Sequence, residues 1–199
     1  MFISFEGTEG VGKTTLIRKI HQYFEQQGKE VVLTREPGGT PLAEQIRSLL
    51  LAVNHEEQMS HDTELLLIYA ARAQHLQQVI LPALAAGKIV LSDRFTDASF
   101  AYQCSGRGLS QEKLQLLNQK FVAKMPNITF WLDAPIELGM TRARERGALD
   151  RFEQEKLSFF AKVRAGYELL WQAEPERMKR LDATQNADVV FDEALQYLK

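Results

Sequence analysis

The sequence predicts an α/β fold in a single domain over residues 1–199, with a five-stranded parallel sheet and helices on both faces. Short apolar, β-prone stretches alternate along the chain with segments whose apolar residues recur at helical spacing. Alternating strands and helices favour a parallel sheet joined by right-handed crossovers. The stretch 126–133 is apolar almost throughout, as a strand buried on both faces requires. A chain of 199 residues is long enough for one such domain with a sizeable core.

The first predicted strand, residues 1–5, leads into a glycine-rich loop and then a helix over residues 15–27. The loop Gly7–Thr14 reads GTEGVGKT and fits the pattern G-x-x-x-x-G-K-[ST], which wraps nucleotide phosphates. Backbone N–H groups and the positive end of the helix dipole converge on an anion in this geometry. Lys13 adds a cation for the β- and γ-phosphates, and Thr14 a hydroxyl for Mg²⁺. The predicted ATP phosphate-binding residues are Gly7, Thr8, Glu9, Gly10, Val11, Gly12, Lys13, Thr14 and Thr15.

The second predicted strand, residues 30–34, ends in the sequence Arg35–Thr40, which contains a proline and two glycines. Charged residues at the carboxyl end of a strand lie where open α/β sheets bind ligands. The alternative is that Arg35–Thr40 is a surface turn whose charged residues do not bind a ligand. Thr40 and Pro41 are predicted to open a helix that reaches Leu51 and carries Arg47.

A helix over residues 64–78 follows, and Pro82 is predicted to kink or restart it before Gly87. Arg72 shares a helical face with Ile68, so it is either a snorkelling surface residue or an oriented ligand group. The third strand, residues 88–94, ends in Ser92-Asp93-Arg94. An acid there in a phosphate-loop fold usually serves Mg²⁺, and capping of the next helix is the alternative for Asp93.

The second half of the chain is predicted to contain helices, two further strands and a cluster of arginines. The elements are a helix over 96–102, a flexible basic turn over 105–108, a helix over 109–124, a strand over 126–133, a helix opened by Pro135, a helix over 154–171, a strand over 178–182 and a helix over 187–198. The arginine cluster, residues 142–151, is either a solvated helix end or a lid that closes over a triphosphate.

Composition excludes several classes of function. The net charge of −2 does not suggest a broad nucleic-acid footprint, and Cys104 is the only cysteine, so no intrachain disulfide can form. No leader pattern precedes the first strand, and no apolar run approaches the length of a membrane span. We therefore expect a cytoplasmic protein without nucleic-acid or membrane partners.

Six landmarks in order resemble the bacterial thymidylate kinases, which have the P-loop NTPase or nucleoside monophosphate kinase fold with an arginine-rich lid. The landmarks are Phe5-Glu6-Gly7, Thr34–Thr40, Tyr69–Arg72, Ser92-Asp93-Arg94, Ala101-Tyr102-Gln103 and Leu149-Asp150-Arg151. The resemblance covers nearly the whole chain. It implies transfer of the γ-phosphoryl group of ATP to deoxythymidine monophosphate (dTMP), with Mg²⁺ as cofactor, in a homodimer. The resemblance also implies that the turn Ala183-Thr184-Gln185 contacts the adenine, as the corresponding turn does in members of the family.

The resemblance also implies roles for individual residues. The catalytic candidates are Lys13, Arg94, Arg151 and, second to Arg151, Arg146. The implied dTMP-binding residues are Glu9, Arg35, Glu36, Pro37, Arg47, Ile68, Arg72, Arg94, Ser99, Tyr102 and Gln103. The lid, about residues 142–153, contains Arg142, Arg144, Arg146, Asp150 and Arg151, and the metal residues are Thr14 and Asp93. Arg72 offers only donors, which suits thymine O4 and disfavours the cytosine amino group.

The chain departs from the family pattern at two positions. Ile68 stands where members commonly have a phenylalanine that stacks on thymine, and Phe100 or Tyr69 are the candidates to compensate. Gly10 stands where some members, including the human enzyme, carry an arginine within the phosphate loop. The cation that acts in the transition state is therefore expected from the lid.

Two alternatives to this function stay open. A kinase for uridylate or cytidylate is the nearer one, although Arg72, Ser99 and Tyr102 argue against it. A GTPase-like nucleotide switch is remote, because the chain contains neither DxxG after the phosphate loop nor NKxD.

Overall fold

The computed structural model describes residues 1–53, 56–146 and 150–198, and it contains the predicted five-stranded parallel sheet. The strand order is β2-β3-β1-β4-β5, so β1 lies in the middle and the glycine-rich loop follows the central strand. All four strand pairs are parallel. The strands are β1 (Phe2–Glu6), β2 (Val31–Arg35), β3 (Ile89–Asp93), β4 (Ile128–Asp133) and β5 (Met178–Asp182).

Nine α-helices and two π-helical segments are present in the described residues. None of these helices is both long enough and apolar enough to span a membrane. The helices are α1 (Lys13–Gln26), α2 (Pro41–Leu51), α3 (His61–His75), α4 (Leu81–Ala85), α5 (Thr96–Ser99), α6 (Gln111–Phe121), α7 (Ile136–Arg146), α8 (Leu157–Ala173) and α9 (Ala187–Gln196), and the π-helical segments are Leu76–Ile80 and Phe100–Gly106.

Helices cover both faces of the sheet, as predicted. Side chains alternate along β1, so Ile3 and Phe5 face one side while Phe2, Ser4 and Glu6 face the other. Ile3 and Phe5 pack with apolar residues of α1 and α9. On the opposite face, Phe2 packs in a cluster with the segment that joins α3 to α4. The central strand is therefore buried on both sides, which places its carboxyl end, and the loop after it, on a rigid base.

Several predicted boundaries and one predicted turn were wrong. Ser105 and Gly106, predicted as part of a flexible turn, belong to the π-helical segment Phe100–Gly106. This segment packs closely against α8, because an added Cβ at Gly106 would lie 2.6 Å from the Phe159 ring and one at Gly166 would lie 2.4 Å from Ser105 Oγ. Close packing between these elements is a long-range effect that the local glycine signal does not reveal. The interruption predicted near Pro82 is present as the π-helical segment before α4.

Helix ends follow local capping where the sequence carries a cap. Thr40 accepts a hydrogen bond from Ala43 N and Pro41 opens α2, as predicted. Helix α3 begins at His61, three residues before its predicted start, because Ser60 caps it by accepting from Thr63 N. Helix α6 is shorter than predicted and begins after Ser110, and α8 begins at Leu157 rather than at residue 154.

Candidate active site

A cavity of about 780 Å³ opens at the carboxyl ends of the central strands, around the loop between β1 and α1. We call it the phosphate cavity. The predicted loop residues Glu9 to Thr15 line it, and Gly7 and Thr8 lie buried at the loop's start. Its other lining residues are Leu16, Arg35, Glu36, Arg47, Asp93, Arg94, Leu132, Arg142, Asp150, Glu153, Ala183, Gln185, Asn186, Ala187 and Val190.

Lys13 is folded back into its own loop. Its Nζ donates to the carbonyl oxygens of Gly7 and Thr8, at 3.2 and 3.0 Å. Burial, and secondarily the nearby Arg94, lower the pKa of Lys13, although Asp93 and Glu9 act in the opposite direction. A cation that is costly to bury is stabilised by an anion, so phosphate oxygens arriving in the loop would be favourable partners.

Arg94 follows β3 and has a left-handed backbone, with φ of 69°. Such a conformation is strained for a residue with a Cβ, and it directs the guanidinium into the site. Burial opposes the charge, but the acidic groups of Glu9, Tyr102 and Tyr167 outweigh it, so the pKa of Arg94 lies well above its ordinary value. Arg94 is therefore a permanent, preoriented cation.

Four hydrogen bonds hold the Arg94 guanidinium in place. Nη1 donates to Gly7 O at 2.9 Å and to Tyr167 Oη at 3.1 Å, and Nη2 donates to Glu9 Oε1 at 2.7 Å and to Tyr102 Oη at 3.0 Å. The Tyr102 hydroxyl also donates to Glu9 Oε1 at 2.8 Å. These contacts join the loop, β3, α8 and the π-helical segment at one point.

A second pocket, which we call the side pocket, adjoins the phosphate cavity. Ten of the eleven predicted dTMP-binding residues line it; the exception is Arg35, which lines the phosphate cavity and pairs with the partly exposed Glu44 at 2.9 Å. The predicted lining residues are Glu9, Glu36, Pro37, Arg47, Ile68, Arg72, Arg94, Ser99, Tyr102 and Gln103, and the others are Leu51, Phe95, Ala98, Asp150 and Phe152.

Arg72 in the side pocket is buried rather than on the surface, with a side chain that is 1% exposed. Nε donates to Glu36 Oε2 at 2.7 Å, and Nη2 donates to Phe95 O and to Ser99 Oγ, both at 3.1 Å. Nη1 is buried and has no hydrogen-bond partner. A buried donor without a partner is costly, so Arg72 is prepared to donate to an acceptor that enters the pocket.

The carboxylate of Glu36 and the amide of Gln103 are already engaged by protein groups. Glu36 accepts from Arg72 and lies 3.1 Å from His75 Nδ1, so it orients Arg72 rather than presenting a free carboxylate. Gln103 Nε2 donates to Glu64 Oε1 at 2.8 Å. Arg47 Nη1 donates to Pro37 O at 2.9 Å.

Neither aromatic candidate for the stack missing at Ile68 lines the side pocket. Tyr69 lies behind it, with its ring 4.6 Å from the Arg72 guanidinium carbon, and Phe100 packs in a separate cluster with Leu65 and Cys104. The helical phase explains this, because Tyr69 follows Ile68 by one residue and faces away from it. The aromatic residues that line the pocket are Phe95, Tyr102 and Phe152.

Thr14 and Asp93, the predicted metal residues, both line the phosphate cavity. A hydroxyl and a carboxylate are hard oxygen donors, which suit Mg²⁺. Within the described ranges, no group of three or more His, Cys, Asp or Glu side chains could hold a metal ion. The donor set fits an ion that keeps most of its coordination for phosphate and water oxygens.

The structure places the lid residues in different surroundings. Arg142 and Asp150 line the phosphate cavity, whereas Arg144 is exposed on α7 and is not among its lining residues. The Arg146 side chain and residues 147–149 lie outside the described residues. Arg151, the first catalytic candidate, does not reach the phosphate cavity, because its Nη1 pairs with Glu64 at 2.8 Å and its Nε donates to Leu50 O at 2.7 Å.

Gly10, which stands where some relatives carry an arginine, packs against α7. An added Cβ at Gly10 would lie 2.0 Å from Gly139 O, and one at Gly139 would lie 2.3 Å from Glu9 O. Gly10 also has φ of 68°. The loop therefore has no room for a side chain here.

Several residues of this region carried no individual site prediction, among them Glu6, Glu64, Phe95, Phe152 and Tyr167. Glu6 accepts from Phe95 N and from Tyr167 Oη, both at 2.7 Å. A charged residue inside an apolar strand was the available signal for Glu6. Glu64 looks like an ordinary acidic residue in the first turn of a helix, and the three aromatic residues look like ordinary core residues. The local sequence around them therefore gave no signal that they belong to the site.

Comparisons with known proteins agree on one family. The family model described as thymidylate kinase matches residues 5–194. A curated thymidylate kinase of Acinetobacter baumannii (strain SDF) is 87% identical over 198 residues, with 100% of both chains covered. One from Acinetobacter baylyi is 76% identical over 199 residues, covering 100% of this chain and 98% of the relative. The crystal structure of thymidylate kinase from Ehrlichia chaffeensis, 33% identical, superposes with a TM-score of 0.80 and covers 100% of this chain and 98% of that one.

Proposed function

The chain belongs to the thymidylate kinase family, and we propose how its residues divide the transfer of the γ-phosphoryl group from ATP to dTMP, which yields ADP and dTDP. The observation that carries the proposal is that the phosphate cavity and the side pocket adjoin and share five lining residues, which are Glu9, Glu36, Arg47, Arg94 and Asp150. A donor in one and an acceptor in the other would face each other beside Arg94. In phosphoryl transfer, positioning and charge stabilisation supply most of the catalysis.

On the donor side, the loop amides and Lys13 bind the phosphates of ATP. Lys13 exchanges its two carbonyl partners in the loop for phosphate oxygens when ATP binds. Thr14 and Asp93 would hold Mg²⁺, directly or through water, and the ion would neutralise part of the charge of the phosphates. Ala183 and Gln185 contact the adenine, a role supported by their place in the lining of the same cavity.

On the acceptor side, the side pocket binds the thymine base and the deoxyribose. The unpartnered Nη1 of Arg72 donates to thymine O4, an arrangement that the cytosine amino group would oppose donor to donor. Ser99 and Gln103 meet the rest of the base edge, and Ile68 packs on the base. Glu9 accepts from the 3′-hydroxyl, and Tyr102 occupies the space that a ribose 2′-hydroxyl would need.

Arg94 stabilises the transferring group because it lies between both sites and is always charged. Arg142, which lines the phosphate cavity, supplies the lid cation that the loop lacks at Gly10, and Arg146, four residues further along the sequence, is the second candidate. The lid closes when both nucleotides are bound and excludes water from the reaction.

The experiment that tests this function is a panel of monophosphates with ATP and Mg²⁺, measured by coupled ADP release. We expect dTMP to have the highest kcat/KM, with dUMP, UMP, CMP and dCMP lower. We expect activity to stop when Mg²⁺ is chelated and to return when it is restored. If kcat/KM were higher for UMP or CMP than for dTMP, that monophosphate and not dTMP would be the preferred acceptor. Nucleotide hydrolysis without any acceptor would instead favour a switch protein.

We further propose that the protein acts as a homodimer in the cytoplasm, where its nucleotide substrates are found. Exposed apolar side chains support a dimer face on three helices: Leu49 on α2, Leu66 on α3 and Leu116 on α6 are each about half exposed, at 46, 58 and 57%. Helix α3 lies beside both α2 and α6. An apolar face of this kind is typical of an interface between subunits.

A further inference from the structure

Glu64 is a buried carboxylate that the proposed phosphoryl transfer does not use. It lies in the first turn of α3, and its side chain is 1% exposed. It accepts from Gln103 Nε2 at 2.8 Å, from Arg107 at 3.3 Å and from Arg151 Nη1 at 2.8 Å. Arg107 has a second partner in Glu155. Burial of a carboxylate is costly unless it is paired and hydrogen-bonded, and this one is held from three sides.

Arg151 is attached to α2 as well as to Glu64. Its Nε donates to Leu50 O at 2.7 Å and its backbone N donates to Leu51 O at 3.3 Å. Its guanidinium carbon lies 4.5 Å from the centre of the Phe152 ring. Arg151 therefore fastens the carboxyl end of the predicted lid to the two helices that border the side pocket.

The groups that these contacts orient are the walls of the side pocket. Gln103 and Phe152 line the side pocket, and Asp150 lines both cavities. Within the described residues, Glu64 and Arg151 line neither cavity. They can affect the side pocket only through the residues that line it. An ion pair in such a place can set the position of several groups at once.

We propose that Glu64 and Arg151 form a clasp that positions Gln103, Asp150 and Phe152 for the acceptor nucleotide. Both are positioning residues, and Arg151 is not the cation of the transition state. This inference rests on the proposed function, because it assigns the clasp to the dTMP side of that site. It predicts that loss of the clasp weakens dTMP binding and leaves both ATP binding and the chemical step largely intact.

Glu64→Gln and Arg151→Met test the clasp, since each keeps most of the side-chain volume and removes the charge. We expect each to raise the dTMP KM and Kd by about tenfold or more, the fold-change of a charge-assisted hydrogen bond. We expect kcat and the ATP KM to stay within about twofold, since uniform acceptor binding is what is lost. Arg151→Lys keeps the charge and should recover part of the dTMP affinity.

Asp62→Asn is the matched control, because Asp62 lies in the same turn of α3 and is exposed, with Lys113 as its partner. We expect it to leave both KM values unchanged. Glu64→Gln could lower stability alone, because Glu64 is buried, so the partly exposed Arg151 is also changed by itself. In the double variant, we expect the losses of dTMP affinity to be coupled and not additive.

Two outcomes would overturn the clasp. If Arg151→Met lowers kcat by a hundredfold or more without change in the dTMP KM, Arg151 acts in the transition state. If both variants change only the melting temperature, the ion pair is merely structural. Failure of the proposed function looks different, because the wild-type enzyme itself would then prefer another monophosphate.

Discussion

At the scale of single residues, Glu6 is the group whose charge the fold alters in a way that can be measured. Burial, and next the repulsion from Asp97, raise the pKa of Glu6 from 4.5 to about 8, although Arg94 and the hydrogen bonds from Tyr167 and Phe95 oppose the shift. Between these two values the folded protein binds a proton that the unfolded chain releases. The stability gained in this way is complete below pH 4.5 and is lost as the pH rises through about 8.

Glu6→Gln tests this linkage, because glutamine keeps the shape of the protonated acid without titrating. We expect the free energy of unfolding of the wild type, relative to Glu6→Gln, to fall by about 3 kcal/mol between pH 5 and pH 8. Urea denaturation at a series of pH values measures the difference. Glu176→Gln, a change at a fully exposed side chain, should keep the wild-type pH dependence. Equal pH dependence in wild type and Glu6→Gln would mean that Glu6 does not take up the proton.

At the scale of elements, the contact between the phosphate loop and α7 depends on two glycines. Gly10 of the loop and Gly139 of α7 approach so closely that a Cβ on either would collide with the backbone of the other segment. The helix that carries Arg142 is thereby seated directly on the loop. A shift in this contact would move the phosphate-binding amides and the lid together.

Gly139→Ala tests this contact. The added methyl group would lie 2.3 Å from Glu9 O, so the loop must shift. Overpacking of this kind costs roughly 1–3 kcal/mol, and we expect the ATP KM to rise by about tenfold. Thr141→Ala, a change at an exposed position of the same helix, is the control and should keep the wild-type ATP KM. A wild-type ATP KM in Gly139→Ala would show that α7 can move away while the loop keeps its geometry.

At the scale of the whole molecule, the exposed apolar residues on α2, α3 and α6 predict self-association. Leu66→Glu should lower the dimer affinity strongly, because a buried unpaired carboxylate is unfavourable. Sedimentation velocity over a range of concentrations measures it, with Val189→Glu on α9, a similarly exposed position, as the control. A monomeric wild type would contradict the dimer, and dissociation of Val189→Glu instead would place the interface on another face.

The sequence by itself determined the features that depend on neighbouring residues. The strand, glycine loop and helix around Lys13, the Thr40 cap of α2 and the limits of β5 were predicted because their signals lie within a few residues of one another. The resemblance added the residues of the side pocket, where all but Arg35 of the expected set were found.

Only the tertiary structure decided the features that depend on long-range contacts. Glu64, Gln103 and Arg151 are far apart in the sequence, and no local pattern shows that one buried carboxylate holds the other two. For the same reason the lack of space at Gly10 became evident only when α7 was seen against the loop. Hydrogen-bond partners and excluded volume are properties of packed surfaces, so only the folded chain determines which arginines line the phosphate cavity and which one pairs with Glu64.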